Sequence, residues 1–228
     1  MTGFDAFFYD LLAPFAHQNQ GFDLLVNRLA DNAEVKTLPT ILLVWWFWFQ
    51  AHKNQRIRRE WLISTLGGGF VAMVIGRILI HVLPFRDRPV WDPAWSSAVF
   101  PFHAWMPDHF SSFPSDHAVL FFALATGLWL VSRPAGLIAT LWAVVMVCLP
   151  RVYLGYHFAT DILVGAACGA AVALVTAVIS RRIGLLKLIV DWSERSPAVF
   201  YVLMFFVSFQ VADMFEDIRA IVSLVGIN

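Results

Sequence analysis

Charge is scarce in this chain: only 14% of its 228 residues are Asp, Glu, Lys or Arg. The 16 basic and 16 acidic residues cancel to a formal net charge of zero. No bulk basic field is therefore available to hold a nucleic-acid backbone by counterion release, and nucleic acid is not an expected partner. Cysteine is almost missing. Cys148 and Cys168 both lie inside apolar runs, where a thiol behaves as a small buried hydrophobe, so neither a disulfide framework nor a metal site built on cysteine is expected. The N-terminal region lacks both a basic start and an uninterrupted apolar stretch, carrying Asp5, Asp10 and Asp23 instead, and no cleaved targeting segment is expected. Internal repeats, low-complexity tracts and linker-like stretches are lacking too, which leaves a single domain over residues 1–228.

Apolar residues, in contrast, are in excess. They make up 59% of the chain, against roughly 45–50% in soluble globular proteins, with 10 Trp and 21 Phe and a mean hydropathy of +0.69. One aqueous globule has too little interior for them, so lipid must solvate the remainder. A bilayer core needs ~20 mostly apolar residues per helix, and six stretches qualify: Thr37–Ala51, Trp61–Leu83, Ser115–Val131, Gly136–Val152, Phe158–Ile179 and Ala198–Ala212. The expected fold is all-α, an integral membrane six-helix bundle. Phe4-Asp5-Ala6-Phe7-Phe8-Tyr9 and Phe22-Asp23-Leu24-Leu25-Val26-Asn27 mix apolar with acidic or amide residues at helical spacing, which predicts an interfacial N-terminal helical region. Residues 213–228 read either as the end of the last span or as a further surface helix.

Basic residues in short loops are retained on the cytoplasmic side. Lys53, Arg56, Arg58, Arg59, Arg133, Arg181, Arg182, Lys187 and Arg195 fall on one face; Arg28, Lys36, Arg86, Arg88, Arg151 and Arg219 fall on the other. The first face is thus predicted to be cytoplasmic, and the segments Leu83–Pro114 and Pro150–His157 face outward.

Ionisable groups at membrane depth persist where a protein interior or wet cavity accommodates them, and here they gather at that outer end. Arg88-Pro89 follows one span, Pro114-Ser115-Asp116-His117 opens the next, and Arg151, His157 and Asp161 flank the junction of two more. Two arginines bind oxyanions through planar donor forks, and two histidines exchange protons or attack an electrophile near neutral pH. His157 and Asp161 stand at i and i+4, on one helical face, so the carboxylate is placed to accept the Nδ1 proton and leave Nε2 as nucleophile. Ser115 and His117 start a helix, where free N–H groups and the dipole favour an anion. The set fits phosphate chemistry.

These residues resemble the type-2 phosphatidic acid phosphatase (PAP2) superfamily, membrane lipid phosphatases that share their site with vanadium haloperoxidases. Its three motifs find counterparts, in order, in His81…Arg88-Pro89, Pro114-Ser115-Asp116-His117 and Pro150-Arg151…His157…Asp161, over residues ~60–180. The resemblance implies His157 as nucleophile, Asp161 as its orienting carboxylate and His117 as general acid. It implies Arg88, Arg151 and Ser115 as phosphate ligands, with His81 at the position of the family's leading basic residue, and neither metal nor cofactor. Three positions depart from the pattern. His81 replaces the usual Lys, and Arg77, one turn earlier, is the possible substitute. Asp116 replaces Gly, so only its backbone N–H is expected to face the phosphate. Pro150 replaces Ser, removing one hydroxyl.

Pro-Ser-Asp-His, with the aromatic and acidic N-terminal region, resembles the bacitracin-resistance branch, the undecaprenyl-diphosphate phosphatases of bacterial plasma membranes. The function so implied is hydrolysis of undecaprenyl diphosphate at the outer face. Phosphatidylglycerol phosphate, phosphatidate and lipid A remain as alternative substrates, and lipid phosphotransfer or a non-catalytic binding role as alternative activities. Arg86 with Asp87 reads as a surface pair. His103, Asp108 and His109, with Trp91, Trp95, Phe100, Phe102 and Trp105, read as an interfacial belt and lid. Gly67-Gly68-Gly69, Gly165 and Gly169 read as sites of close helix approach.

Overall fold

The computed structural model describes residues 2–15, 18–91 and 111–213, which contain helices and no strand. The belt from Trp95 to His109 and the stretch after Asp213 lie outside the described residues. Two short helices, α1 (Gly3–Leu12) and α2 (Gln20–Asp31), come first. Each starts on a side-chain oxygen that accepts first-turn N–H groups, Thr2 for α1 and Asn19 for α2, satisfying donors that have no partner within the helix. Then follow α3 (Ala33–Phe49), α4 (Gln55–Val82), α5 (Asp116–Val131), α6 (Arg133–Tyr153), α7 (Ala159–Arg182), α8 (Leu185–Arg195) and α9 (Pro197–Ala212). Of these, α4, α6 and α7 are long and apolar enough to cross a bilayer, while α5 and α9 are apolar but shorter.

The six apolar stretches of the sequence therefore all fall on helices, with their ends displaced. The helix α8 was hidden in what reads as a basic connection. Leu186, Val190 and Ser193 recur at helical spacing and are buried, whereas Lys187 and Glu194 are exposed, and Arg56 of α4 pairs with Asp191 and Glu194. Gly184, at φ +73°, turns the chain out of α7 and into α8, a backbone state that glycine adopts without steric penalty. At this same end, the Arg181 guanidinium lies 4.4 Å from the Trp61 ring centre and Arg59 5.0 Å from that of Trp48. The basic clusters thus rest on aromatic rings.

The centre of the molecule is α4, α5 and α7 packed together. Leu62, Leu66, Leu120, Phe121, Leu124 and Leu128 are buried here, in one cluster with Trp48 and Phe200. The contact between α5 and α7 is close: a Cβ at Gly169 would sit 2.0 Å from the Val119 carbonyl oxygen, and one at Gly165 2.6 Å from that of Ser115. At Gly69 of α4 a Cβ would meet Leu124 at 2.7 Å, whereas Gly67 has open space. Helix approach through Gly165, Gly169 and Gly69 is thus as the sequence predicts. Gly169→Ala must push two backbones apart, and overpacking of this kind costs about 1–3 kcal/mol or more. Its melting transition in detergent should fall well below wild type; an unchanged transition would contradict this crossing.

Two local features aim the end of α6 that carries Arg151. Residues Ala143–Cys148 form a π-helical segment, directly before Pro150, which has no N–H to return to Met146 and whose ring crowds that carbonyl. The helix then closes with Leu149–Tyr153, carrying Arg151. Gly155, at φ +69°, ends this turn and leads the chain to His157.

Candidate active site

Backbone hydrogen bonds bring the three motif segments together. Ser112 N–H donates to the Arg86 carbonyl at 2.8 Å and Val90 N–H to the Gly155 carbonyl at 3.0 Å. Ser115 N–H donates to the Asp161 carbonyl at 3.2 Å, so the first turns of α5 and α7 meet, as the glycine crossing below them requires. Two helix N-termini therefore open on one place.

His157 lies in this place, 4% exposed. Its Nδ1 is 2.8 Å from the Ser112 carbonyl oxygen. A carbonyl only accepts, so Nδ1 carries the proton and Nε2 presents a lone pair. The sequence assigns this orienting role to Asp161, but its Oδ2 is 3.8 Å from Nδ1, ion-pair range and beyond hydrogen-bond reach. Asp161, fully buried, instead accepts from Phe158 N–H at 2.8 Å and from Arg86 Nη1 at 2.5 Å. A main-chain oxygen thus sets the tautomer and the carboxylate supplies negative charge beside the ring. Burial pushes the His157 imidazole below its ordinary value, with Arg88 acting in the same direction and Asp161 and Asp116 against it.

The second histidine is held by its own neighbour. His117 Nδ1 lies 2.8 Å from Asp116 Oδ1, which also accepts the His117 backbone N–H at 2.8 Å, while Arg77 Nη2 donates to Asp116 Oδ2 at 2.8 Å. The expectation that Asp116 offers only its backbone N–H therefore needs correction. Its carboxylate orients His117, and Arg77 balances its charge. His81 is exposed near the end of α4, and it is Arg77, one turn earlier, that reaches the cluster.

Arg88 donates through Nη1 to the Tyr156 carbonyl at 3.2 Å. Burial lowers its pKa from the usual arginine value, opposed by the negative charges of Asp116 and Asp161. Arg151 is 4% exposed and donates to the main-chain carbonyls of Val147 at 2.9 Å and Ala30 at 3.3 Å, tying α6 to the end of α2. Ser115, fully buried, is the N-cap of α5 and accepts from Ala118 N–H at 3.4 Å.

Arg86 is not in a surface pair with Asp87. It bonds Asp161 and, through Nη2 at 2.9 Å, Asp5 of α1, and its guanidinium carbon lies 4.0 Å from the Phe158 ring centre. Its side chain is a quarter exposed, whereas Asp87 faces solvent. Sequence reasoning missed three participants. The Ser112 carbonyl has no side-chain signature. Arg86 is masked by an acidic neighbour. Asp5 carried a usable signal, since a carboxylate among Phe4, Ala6, Phe7 and Phe8 demands a partner.

The chain is 38% identical over 120 residues to a decaprenylphosphoryl-5-phosphoribose phosphatase of Mycobacterium tuberculosis, found in two strains, the alignment covering 53% of this chain and 61% of that protein. Among solved structures it is similar to Aquifex aeolicus LpxE, with a TM-score of 0.48 and 22% identity over 74% of this chain and 91% of that one. It is also similar to a transmembrane PAP2 type phosphatidylglycerolphosphate phosphatase from Bacillus subtilis, with a TM-score of 0.42 and 22% identity over 78% and 95% of the two chains. The PAP2 superfamily profile matches residues 61–184, more than half the chain and all three motif segments, and the chain belongs to that superfamily.

Proposed function

We propose that the protein is a membrane phosphatase that removes the terminal phosphate from a polyprenyl-anchored lipid, with undecaprenyl diphosphate as substrate and undecaprenyl phosphate and inorganic phosphate as products. The observation that carries this reading is His157 with its Nδ1 proton committed to the Ser112 carbonyl and Arg88 acting on its ring. Such an imidazole offers Nε2 to phosphorus. As the Nε2–P bond forms, the P–O bond to the lipid phosphate breaks, and His117 gives the departing oxygen its proton. Water then attacks phosphorus, His117 takes a proton from it, and the P–N bond breaks to release phosphate and free imidazole. Arg88, Arg151, the Ser115 side chain and the Asp116 N–H at the start of α5 stabilise the equatorial oxygens. Charge that a metal ion supplies elsewhere comes here from guanidinium groups.

The helices form a six-span bundle, with α1 and α2 lying at the interface. Phe4, Phe7 and Leu11 of α1 and Phe22, Leu24 and Leu25 of α2 are exposed, as a lipid-facing surface requires. The nine basic residues at the opposite end favour a plasma (inner) membrane orientation with the site facing the outside or periplasm. The apolar tail then stays between lipids while the headgroup enters.

A second reading rests on the mycobacterial relative, whose name describes a phosphate on a polyprenyl-linked sugar. Purified protein assayed with chelator present against undecaprenyl diphosphate, decaprenylphosphoryl-5-phosphoribose, phosphatidylglycerol phosphate, phosphatidate and lipid A separates these readings. Fast phosphate release from undecaprenyl diphosphate is expected. Preference for the phosphoribose lipid would favour the second reading, and a strict magnesium requirement would overturn the site chemistry. Label passing from the diphosphate to an added lipid rather than to water would make the protein a phosphotransferase.

A further inference from the structure

The Asp5 carboxylate is out of place for a helix that faces lipid. It is 3% exposed and has more polar partners than an N-terminal capping role needs. Beyond the Thr2 hydroxyl at 3.0 Å, it accepts the Thr160 N–H at 2.9 Å, the Thr160 hydroxyl at 3.1 Å and Arg86 Nη2 at 2.9 Å. Arg86 Nη1 in turn reaches the Thr160 hydroxyl at 2.8 Å and Asp161 Oδ1 at 2.5 Å. The result is a relay from α1 to the first turn of α7. Burial alone would raise the pKa of the Asp5 carboxyl, yet the hydrogen bonds from Thr160 and Arg86 hold it below the usual carboxylate value, so the relay carries two carboxylates around one guanidinium.

We propose that Asp5 is a positioning residue for the nucleophile, holding Arg86 against Asp161 so that the relay presents one net negative charge to His157. The inference rests on the proposed role of His157. Phosphoryl transfer to Nε2, with the proton retained on Nδ1, places positive charge on the imidazole ring. An Arg86–Asp161 pair by itself is neutral and does little for that charge. With Asp5 included, one negative charge remains within the dry wall of the site, where it acts more strongly than in water. Arg86 meanwhile fixes Oδ1, leaving Oδ2 on the side of His157. The helix α1 thereby becomes part of the catalytic wall, although none of its residues meets the substrate.

The charges around His157 give the proposal an observable sign. Asp161, Arg88 and Asp116 act on it directly, with Arg86 and Asp5 behind Asp161. Removing the negative charge in Asp5→Asn lowers the pH at which the ring protonates. Removing the positive charge in Arg86→Gln raises it. The acid limb of kcat/KM should therefore move down in the first variant and up in the second, each by about half a unit to one unit, and return near wild type in the double variant. In Asp5→Asn kcat should fall at least about tenfold, with KM changed less, because the charge is needed most as the transition state forms; in Arg86→Gln kcat should fall because Asp161 Oδ1 loses the group that fixes it. Thr160→Val removes the hydroxyl shared by Asp5 and Arg86 without changing charge; it should lower kcat and leave the acid limb in place. This variant keeps the test open if Asp5→Asn does not fold.

The experiment is phosphate release from undecaprenyl diphosphate by the full chain in detergent, over pH, for these variants beside His157→Ala. Opposite displacements of the two acid limbs support the relay. Coincident limbs, wild-type kcat in Asp5→Asn, or wild-type kcat in Thr160→Val would overturn it while leaving the nucleophile assignment intact. Release by His157→Ala at the wild-type rate would instead remove the mechanism on which the relay depends.

Discussion

His157→Ala should lower phosphate release by about 10⁴-fold or more, the scale of loss when the nucleophile of a concerted catalytic unit is deleted. None of the other groups assembled around the site substitutes for it. His117 has its Nδ1 against Asp116 and serves proton transfer in the mechanism we propose, and Ser115 is a fully buried helix cap. The loss should appear in kcat with substrate binding largely retained, since Arg88 and the helix N-termini remain. Wild-type protein quenched during turnover of radiolabelled substrate should carry acid-labile, base-stable label, and the variant none. The pH dependence has a definite sign as well. Attack requires the neutral ring, and burial holds the His157 pKa below its ordinary value, which is about 6.5 for a free imidazole. The neutral form therefore persists through pH 6.5, and activity is lost only as pH falls further. An acid limb above about 6.5, or full activity in the alanine variant, would show that another group attacks phosphorus.

What the sequence made legible follows from which signals are carried by residue type. Apolar runs located every long helix, because hydropathy over a span is a sum that survives local detail; α8 escaped because its apolar face is only Leu186, Val190 and their neighbours, set among charges. The small-residue spacing of Gly165 and Gly169 announced a close crossing, and backbone contact at Val119 and Ser115 is what it gives. The three motif segments meet through backbone hydrogen bonds because ordered spacing on adjacent helices fixes which ends come together. The partners of the motif residues were harder to read. A carbonyl such as that of Ser112 is present at every position in a chain, so nothing in its side chain distinguishes it. The i, i+4 rule placed Asp161 on the same face as His157 without giving its preference for Arg86, a charge 75 residues away in sequence. Similarly, the substitution of Asp116 for glycine looked like a liability beside phosphate until Arg77 was seen to balance it. Long-range ion pairs depend on tertiary placement, which spacing along one helix does not encode.

His117→Asn should reduce turnover of the lipid substrate by about 10²–10⁴-fold, the usual contribution of a positioned acid or base. Its chemistry predicts more than a uniform loss. In the mechanism we propose, the imidazole protonates the departing oxygen in the first half-reaction and accepts a proton from water in the second. A substrate whose leaving group needs no proton, such as p-nitrophenyl phosphate, bypasses the first requirement and retains the second. The variant should then release a burst of nitrophenol close to one equivalent per enzyme and turn over slowly afterwards, with the phosphohistidine accumulating. Asp116→Gly restores the residue usual in the superfamily but removes the carboxylate that fixes His117 Nδ1 and balances Arg77. It should cost less than loss of the imidazole, about tenfold in kcat and so below that range, and Asp116→Asn, which keeps an acceptor for Nδ1–H, should recover part of the difference. Equal losses on both substrates with no burst would mean that His117 serves binding rather than proton transfer, and the two half-reactions would then need a different acid.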